Sequence, residues 1–174
     1  TYTVIGVSGS SCADTTTINV TVHDLPIVTA QFNDSICPNG SATLNASGAV
    51  SFLWSPSGSL NSSTASNVIA SPVLSTTYTV IGTDGNNCTN SSSVSVTVLQ
   101  PPNVNAGTNT TIAQGDSAML IAGGGISYSW SPSDGLSCLT CQNPVAKPTI
   151  TTTFYVTVTD ANGCTAIDSV IIIV

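Results

Sequence analysis

The sequence repeats itself at an interval of 76 residues, and this repeat restricts the possible folds more than any other feature of the chain. Trp54 and Trp130 lie in matching Trp-Ser-Pro-Ser segments, and the same interval relates Cys88 to Cys164 with no gap between them. Agreement at widely spaced landmarks means that the chain consists of copies of one structural unit.

The interval divides the chain into two complete copies, 23–98 (the middle repeat) and 99–174 (the last repeat). Residues 1–22 match 77–98, so we expect them to be the C-terminal strands of a third, incomplete copy. Their apolar face should then pack against strands from outside this segment, supplied by an upstream continuation of the chain or by another molecule. Both joints contain proline, which stiffens short linkers and predicts a semi-rigid row of copies.

Each copy has the pattern of a β-sandwich. Residues 41–47, 77–83 and 92–98 alternate apolar with polar side chains, which predicts half-buried antiparallel strands. Asp-, Asn- and Gly-rich clusters at 84–87 and 160–163 predict turns between them. No amphipathic helical pattern is visible. The sequence therefore predicts an all-β chain of tandem immunoglobulin-like antiparallel β-sandwiches in a linear array.

One tryptophan stands at the same strand position in each complete copy. Trp54 and Trp130 are each flanked by alternating residues, so we expect both indoles to anchor the core of their own copy. A core of this size is small, and a cross-link would help to stabilise it.

The segment 126–174 contains Tyr-Ser-Trp-Ser-Pro-Ser-Asp-Gly-Leu, then Asn-Pro-Val-Ala-Lys-Pro, then Thr-Thr-Thr-Phe-Tyr-Val-Thr-Val-Thr-Asp-Ala-Asn-Gly-Cys-Thr. These residues resemble the PKD-like, Ig-like tandem repeats of large bacterial surface adhesins, a group linked to type IX secretion and gliding motility. The resemblance covers all three copies and is strongest over 126–174. It implies an extracellular sandwich in long arrays, and it implies no catalytic residues.

Six cysteines indicate an oxidising compartment. In the middle repeat, Cys37 precedes the 41–47 strand and Cys88 lies in the last turn, and we expect these two to form a disulfide within the repeat. Cys12 is equivalent to Cys88, so its partner should lie in the part of its copy outside this segment. The last repeat has Ala113 in place of Cys37, which leaves Cys164 as a free thiol or as a partner of another chain.

The last repeat also contains Cys138-Leu-Thr-Cys141. A local disulfide that fixes a loop is the favoured interpretation. Half of a zinc site and a thioredoxin-like redox pair are the alternatives, but the first lacks a second Cys or His pair and the second lacks a βαβ context.

Charge excludes some partners. The chain has one cation among Lys and Arg, and its net charge is −7, so it cannot neutralise a row of phosphates. We therefore expect no nucleic-acid binding. No apolar run is long enough to cross a bilayer, so we also expect no membrane insertion. His23, the single histidine, lies in a predicted linker, so no catalytic triad is indicated; we expect no enzyme activity and no cofactor.

Aspartate residues indicate two further kinds of candidate site. Asp84 and Asp160 occupy equivalent turns near the joints and are weak calcium candidates, because calcium prefers several carboxylates close together. Asp followed by Ser or Thr and then a small or aliphatic residue resembles a bacterial O-glycosylation sequence. The alternative is an Asp that caps a turn. The hydroxyl residues concerned are Thr15, Ser35, Ser117 and Ser169.

The leading functional hypothesis is a structural stalk or filament segment of a secreted bacterial surface adhesin, whose partners are neighbouring repeats or other copies. The alternative is a set of carbohydrate-binding accessory domains of an adhesin or a secreted hydrolase, which would bind surface polysaccharide. Exposed aromatic rings distinguish the two, because a sugar platform usually needs at least two of them on one face.

Overall fold

The computed structural model describes residues 1–31 and 35–174, and these contain fourteen β-strands and no helix. The strands are β1 (Tyr2–Val7), β2 (Ala13–Ile18), β3 (Thr29–Gln31), β4 (Ala42–Ser47), β5 (Ser51–Ser55), β6 (Asn67–Ala70), β7 (Thr76–Thr83), β8 (Thr89–Val96), β9 (Thr110–Thr111), β10 (Ala118–Met119), β11 (Ser127–Ser131), β12 (Val145–Ala146), β13 (Thr152–Thr159) and β14 (Thr165–Ile173). The chain is all-β, as its alternating sequence pattern predicts.

The middle repeat forms two antiparallel sheets, β3-β4-β6 and β5-β7-β8. Ile36 pairs in parallel with Val98, so the chain switches from the first sheet to the edge of the second shortly after β3. This strand order, with an N-terminal strand shared between two facing sheets, is that of an immunoglobulin-like sandwich.

The last repeat has the same arrangement, with sheets β10-β12 and β11-β13-β14-β9, and β9 pairs in parallel with β14. Its paired strands match those of the middle repeat at the same interval: Trp54 lies opposite Val80 and Trp130 opposite Val156. Equal registers in both copies show that the 76-residue interval of the sequence is also an interval of structure.

Each complete repeat has its own hydrophobic core, and the two cores share no residue. In the middle repeat Leu44 and Val68 of one sheet face Tyr78 and Val80 of the other, and all are at most 1% exposed. Glycine permits a close approach at the edge of this core: Gly48 has a φ of 90°, and a Cβ there would lie 1.8 Å from the carbonyl oxygen of Ile27.

Residues 1–22 form a lone two-stranded hairpin of β1 and β2. Its register pairs Tyr2 with Ile18, which is the pairing of Tyr78 with Val94 moved by one interval. Tyr78 is completely buried in the middle repeat, whereas Tyr2 is 64% exposed. The hairpin thus has the local structure of the last two strands of a repeat, and the described residues place no second sheet over its apolar face.

Candidate functional site at the joint between the repeats

The joint lies where the middle repeat ends and the last repeat begins. The amide of Leu99 donates to the carbonyl of Ile36 at 2.8 Å, and the amide of Ile36 donates to the carbonyl of Thr97 at 3.0 Å. These bonds place the turn that follows Ile36 beside the exit of the chain. This turn is closed by a bond of 2.9 Å from the amide of Gly40 to the carbonyl of Cys37, and it therefore presents Cys37 to the joint.

The turn between β13 and β14 faces the joint from the other side. The Asp160 Oδ1 atom accepts hydrogen bonds of 2.9 Å from the amides of Asn162 and Cys164, and Gly163 adopts a φ of 81°. Asp and Asn that bond to nearby backbone amides, together with a glycine at positive φ, are the residues that such tight turns require. The turn holds Cys164 in a fixed position, and the residue is 1% exposed.

A disulfide joins these two turns. Cys37 and Cys164 are bonded at an S–S distance of 2.02 Å, with their Cα atoms 5.4 Å apart, which is within the usual range for a disulfide. The bond therefore connects the middle repeat to the last repeat covalently, across a linker that contains Pro101 and Pro102.

The bond corrects the expected pairing of Cys37 with Cys88, because these two residues lie at opposite ends of the middle repeat. Cys88 immediately precedes the eight-residue strand β8, whereas Ile36, next to Cys37, pairs with Val98 beyond the other end of that strand. Ten residues of extended strand span about 33 Å at ~3.3 Å per residue. No disulfide bridges such a distance.

Cys164 is likewise neither a free thiol nor a partner of another chain, while Cys12 and Cys88 are free. The sequence did contain a signal for this pairing. In an immunoglobulin-like sandwich, the turn after the first strand and the turn before the last strand lie at opposite ends, so the two cysteines of consecutive copies meet at the joint. The pairing is found once the topology is applied to neighbouring copies rather than to one copy.

A second disulfide joins Cys138 to Cys141 at 1.97 Å in the loop before β12. This loop contacts the tryptophan of the last repeat: the amide of Trp130 donates to the carbonyl of Leu139 at 2.8 Å, and its indole Nε1 donates to the carbonyl of Cys141 at 3.0 Å. The short covalent ring therefore holds both acceptors of Trp130 in place.

The two tryptophans lie in the cores. Trp54 is 1% exposed and Trp130 is 3% exposed. The indole of Trp54 donates to the carbonyl of Ala65 at 3.0 Å, and Ala65 is the equivalent of Cys141 one interval earlier. Neither ring is available as a surface platform.

The calcium candidates take part in the turns. The Asp84 Oδ1 atom accepts from the amides of Asn86 and Cys88, both at 2.8 Å, and Asp160 repeats this arrangement. In the part of the chain that the structure describes, no three His, Cys, Asp or Glu residues are close enough to hold a metal ion. The hydrogen bonds account for both aspartates as turn residues.

The four hydroxyl residues of the proposed glycosylation pattern are all exposed: Thr15 in β2, Ser169 in β14, Ser117 ahead of β10, and Ser35. Asp34, which precedes Ser35, lies outside the described residues. Two of the preceding aspartates have a local role as well, because Asp14 accepts from the amide of Thr15 and Asp168 accepts from the amide of Ala106, both at 2.9 Å.

The structure brings no nucleophile and base together among the described residues. His23 is exposed near the linker ahead of the middle repeat, and Lys147 lies in a shallow surface groove of the last repeat with Asp134 and Pro148. None of the described residues belongs to a helix that could cross a membrane.

No protein-family model and no curated protein sequence matches this chain. Solved structures with a similar backbone include murine CEACAM1b, at 14% identity over 84% of this chain and all (100%) of that chain, with a TM-score of 0.36. They also include a 1.5-MDa bacterial ice-binding adhesin, at 13% identity over 99% of this chain and 73% of that one, with a TM-score of 0.40. The ectodomain of human desmocollin-1 matches at 10% identity over 92% of this chain and 43% of that one, with a TM-score of 0.33. The order of the strands in the two complete repeats itself identifies the immunoglobulin-like sandwich.

Proposed function

We propose that this chain is a non-catalytic structural segment of an extracellular bacterial surface adhesin or filament, in which PKD-like sandwiches form a linear array. The observation that carries the proposal is the Cys37–Cys164 bond. A bond across the joint keeps two neighbouring repeats together even if one of them unfolds. A protein that has to hold its length under load needs this property, whereas a ligand-binding pair of domains does not.

The two disulfides also support an extracellular location. Disulfides persist in secreted and surface proteins and are rare in the reducing cytosol. The Cys37–Cys164 bond closes a loop of sequence separation 127, and the Cys138–Cys141 bond closes one of separation 3. In the chain-entropy model the long loop stabilises the folded pair by about 5 kcal/mol.

The exposed face of the sheet with β7 and β8 carries hydroxyl groups instead of charges, which fits a structural role. On the exposed face of β7 and β8, hydroxyl groups bond across the strands: Thr77 to Ser95 at 2.8 Å and Thr79 to Ser93 at 2.9 Å. Cross-strand hydroxyl pairs stabilise a sheet without charge. Such a face can be glycosylated or can pack against other copies, and it has too few charges to steer an ionic ligand.

Carbohydrate binding has less support. In the two complete repeats, Tyr155 is the only aromatic residue among the described ones that is classed as exposed, and half of its surface (50%) is accessible. Its cross-strand neighbours are Ser131 and Ser169, so no second ring lies beside it on β11 or β14. One aromatic ring can stack on one sugar, but a carbohydrate-binding platform needs at least a second ring on the same face.

Small-angle X-ray scattering on the purified chain tests the proposal. A row of two sandwiches gives a maximum dimension of about twice the length of one sandwich. The distribution of particle dimensions should be narrow while the disulfide is intact. The variant Cys37→Ser should keep both folded repeats but show a broader distribution of dimensions. A compact particle, in which the repeats lie side by side, would contradict the array. Polysaccharide binding that is lost in Tyr155→Ala would favour the alternative.

A further inference from the structure

We propose that Cys88 forms a second inter-repeat disulfide. Its partner would be a cysteine in a complete repeat ahead of the middle repeat, in the turn that corresponds to the turn of Cys37. The proposal rests on the proposed array, because it needs such a repeat. The Cys37–Cys164 bond is then one member of a series that recurs at every joint where both cysteines are present. Cys88 is a free thiol in the 174-residue chain.

The turn around Cys88 has the same structure as the turn that holds Cys164. Asp84 and Asp160 each accept from the amide of the cysteine four residues later, at 2.8 and 2.9 Å. The amide of each aspartate donates in turn to the carbonyl of that cysteine, at 3.0 and 2.9 Å. The position before each cysteine has a positive φ, 63° at Asn87 and 81° at Gly163. The turn at Cys88 therefore has the same backbone geometry as the turn in which Cys164 forms its disulfide.

Cys88 also lies at the correct end of the middle repeat. The side-chain amide of Asn90 donates to the carbonyl of Pro26 at 3.0 Å, which places the turn beside the entry of the chain. Cys164 occupies the same position relative to the entry of the last repeat. A preceding repeat would present its first turn to Cys88 in the way that the middle repeat presents Cys37 to Cys164.

The turn of the N-terminal hairpin extends the comparison. The amide of Ser8 donates to the carbonyl of Cys12 at 2.9 Å, and Ser11 has a φ of 64°, so Cys12 stands in a turn of the same kind. All three copies thus carry a cysteine in the turn that precedes their last strand. The position of Cys37 differs between the two complete repeats, because the last repeat has Ala113 there. The last repeat therefore cannot form the same bond with a repeat after it.

The chemistry of each bond is a two-electron oxidation. Two thiols lose two protons and two electrons as the S–S bond forms, and the disulfide of a protein thiol oxidant accepts them and becomes a dithiol. Oxidised glutathione supplies the same oxidation in vitro. The position of the turn determines which thiol lies close enough to Cys88 to bond with it. The oxidant determines whether that bond forms.

The chain itself supplies the partner for a test. A copy of residues 23–76 placed ahead of Thr1 completes the first repeat, since residues 1–22 continue the sequence at position 77. The extended chain contains one additional cysteine, the copy of Cys37. After folding in a glutathione buffer, thiols are counted by alkylation in denaturant without reductant, and linked peptides are mapped by mass spectrometry.

The 174-residue chain should gain two alkyl groups, at Cys12 and Cys88. The extended chain should gain one, at Cys12, with Cys88 linked to the copied cysteine. The matched control carries Cys37→Ala in the added copy only, and it should return to two alkyl groups. The Cys37–Cys164 peptide should be present in all three proteins.

Different failures have different meanings. If Cys88 is still alkylated in the extended chain while Cys37 remains linked to Cys164, the further inference is wrong and the array survives. If the added cysteine bonds to Cys88 of another molecule, so that dimers appear without reductant, the inference within one chain is also wrong. If Cys37 is found on Cys88 in the 174-residue chain, both the inference and the proposed function are overturned.

Discussion

Removing the Cys37–Cys164 bond should increase the length of chain that a pulling force can extend. The bond encloses the residues from 38 to 163, at a sequence separation of 127. Force applied to the two ends passes through the disulfide, so the enclosed residues cannot straighten even if both repeats unfold. At ~3.4 Å per extended residue, they represent about 430 Å of hidden length. The variant Cys37→Ser should release this length.

Single-molecule force spectroscopy measures the difference, with the chain held at both ends between handle domains of known length. The intact chain can extend only its flanks, 1–37 and 164–174, to about 160 Å. The variant, or the intact chain in strong reductant, should extend to about 590 Å, the length of all 174 residues. The Cys138–Cys141 bond hides only about 10 Å and does not disturb the comparison.

The matched control is Cys88→Ser, which should leave the extension of the oxidised chain unchanged because Cys88 is free. If Cys37 were bonded to Cys88 instead, this variant would release residues 38–87, about 170 Å. Equal extensions in the intact chain and in Cys37→Ser would refute the argument that the bond crosses the joint.

Four further outcomes are expected. Trp54→Ala or Trp130→Ala should lower the free energy of unfolding of its own repeat by about 3–5 kcal/mol in urea titrations, because each leaves a large cavity; an unchanged midpoint would mean that the indole is not in the core. Replacing Cys138 and Cys141 together with serine should cost about 2 kcal/mol by the same titration, because the closed loop is short; a loss as large as that of Trp130→Ala would contradict this. Asp160→Ala should lower the melting temperature while Asp160→Asn, which keeps an acceptor, should largely preserve it; stabilisation of the intact protein by added calcium would show that Asp160 binds metal instead of serving only the turn. Intact-mass spectrometry of natively produced protein should show O-linked sugar, and a mass equal to the bare polypeptide would remove this expectation for Thr15, Ser35, Ser117 and Ser169.

Much of the local structure follows from the sequence because the pattern is local. Alternation over 77–83 predicted a strand, and the structure has Thr76–Thr83 there. A side-chain period of two is a property of a single strand, and it needs no knowledge of what lies opposite. The strands of the smaller sheet in the last repeat are less well predicted. β10 and β12 are reduced to two residues each. Pro144 stands where β6 has Val68, and a proline has no amide hydrogen with which to extend the strand pairing.

The disulfide at the joint could not be read from local pattern. Spacing suggested that Cys37 and Cys88 belong together because both fall in one repeat. Their separation depends on which end of the sandwich each turn occupies, and this is set by the long-range pairing of Ile36 with Val98. Such pairing joins residues 62 positions apart and leaves no periodic trace in the sequence.

The placement of the covalent bonds distinguishes these repeats from antibody domains, in which a disulfide joins the two sheets inside the core beside a tryptophan. Here the core around Trp54 contains Leu44, Tyr78 and Val80 and is packed without a cysteine. The long-range disulfide lies between the repeats instead. Under load, a bond within a core would protect one domain and leave the linker to carry the force. A bond across the joint lets either repeat unfold and refold while its neighbour stays within reach, so what is protected is the connection between repeats and not the stability of any one of them.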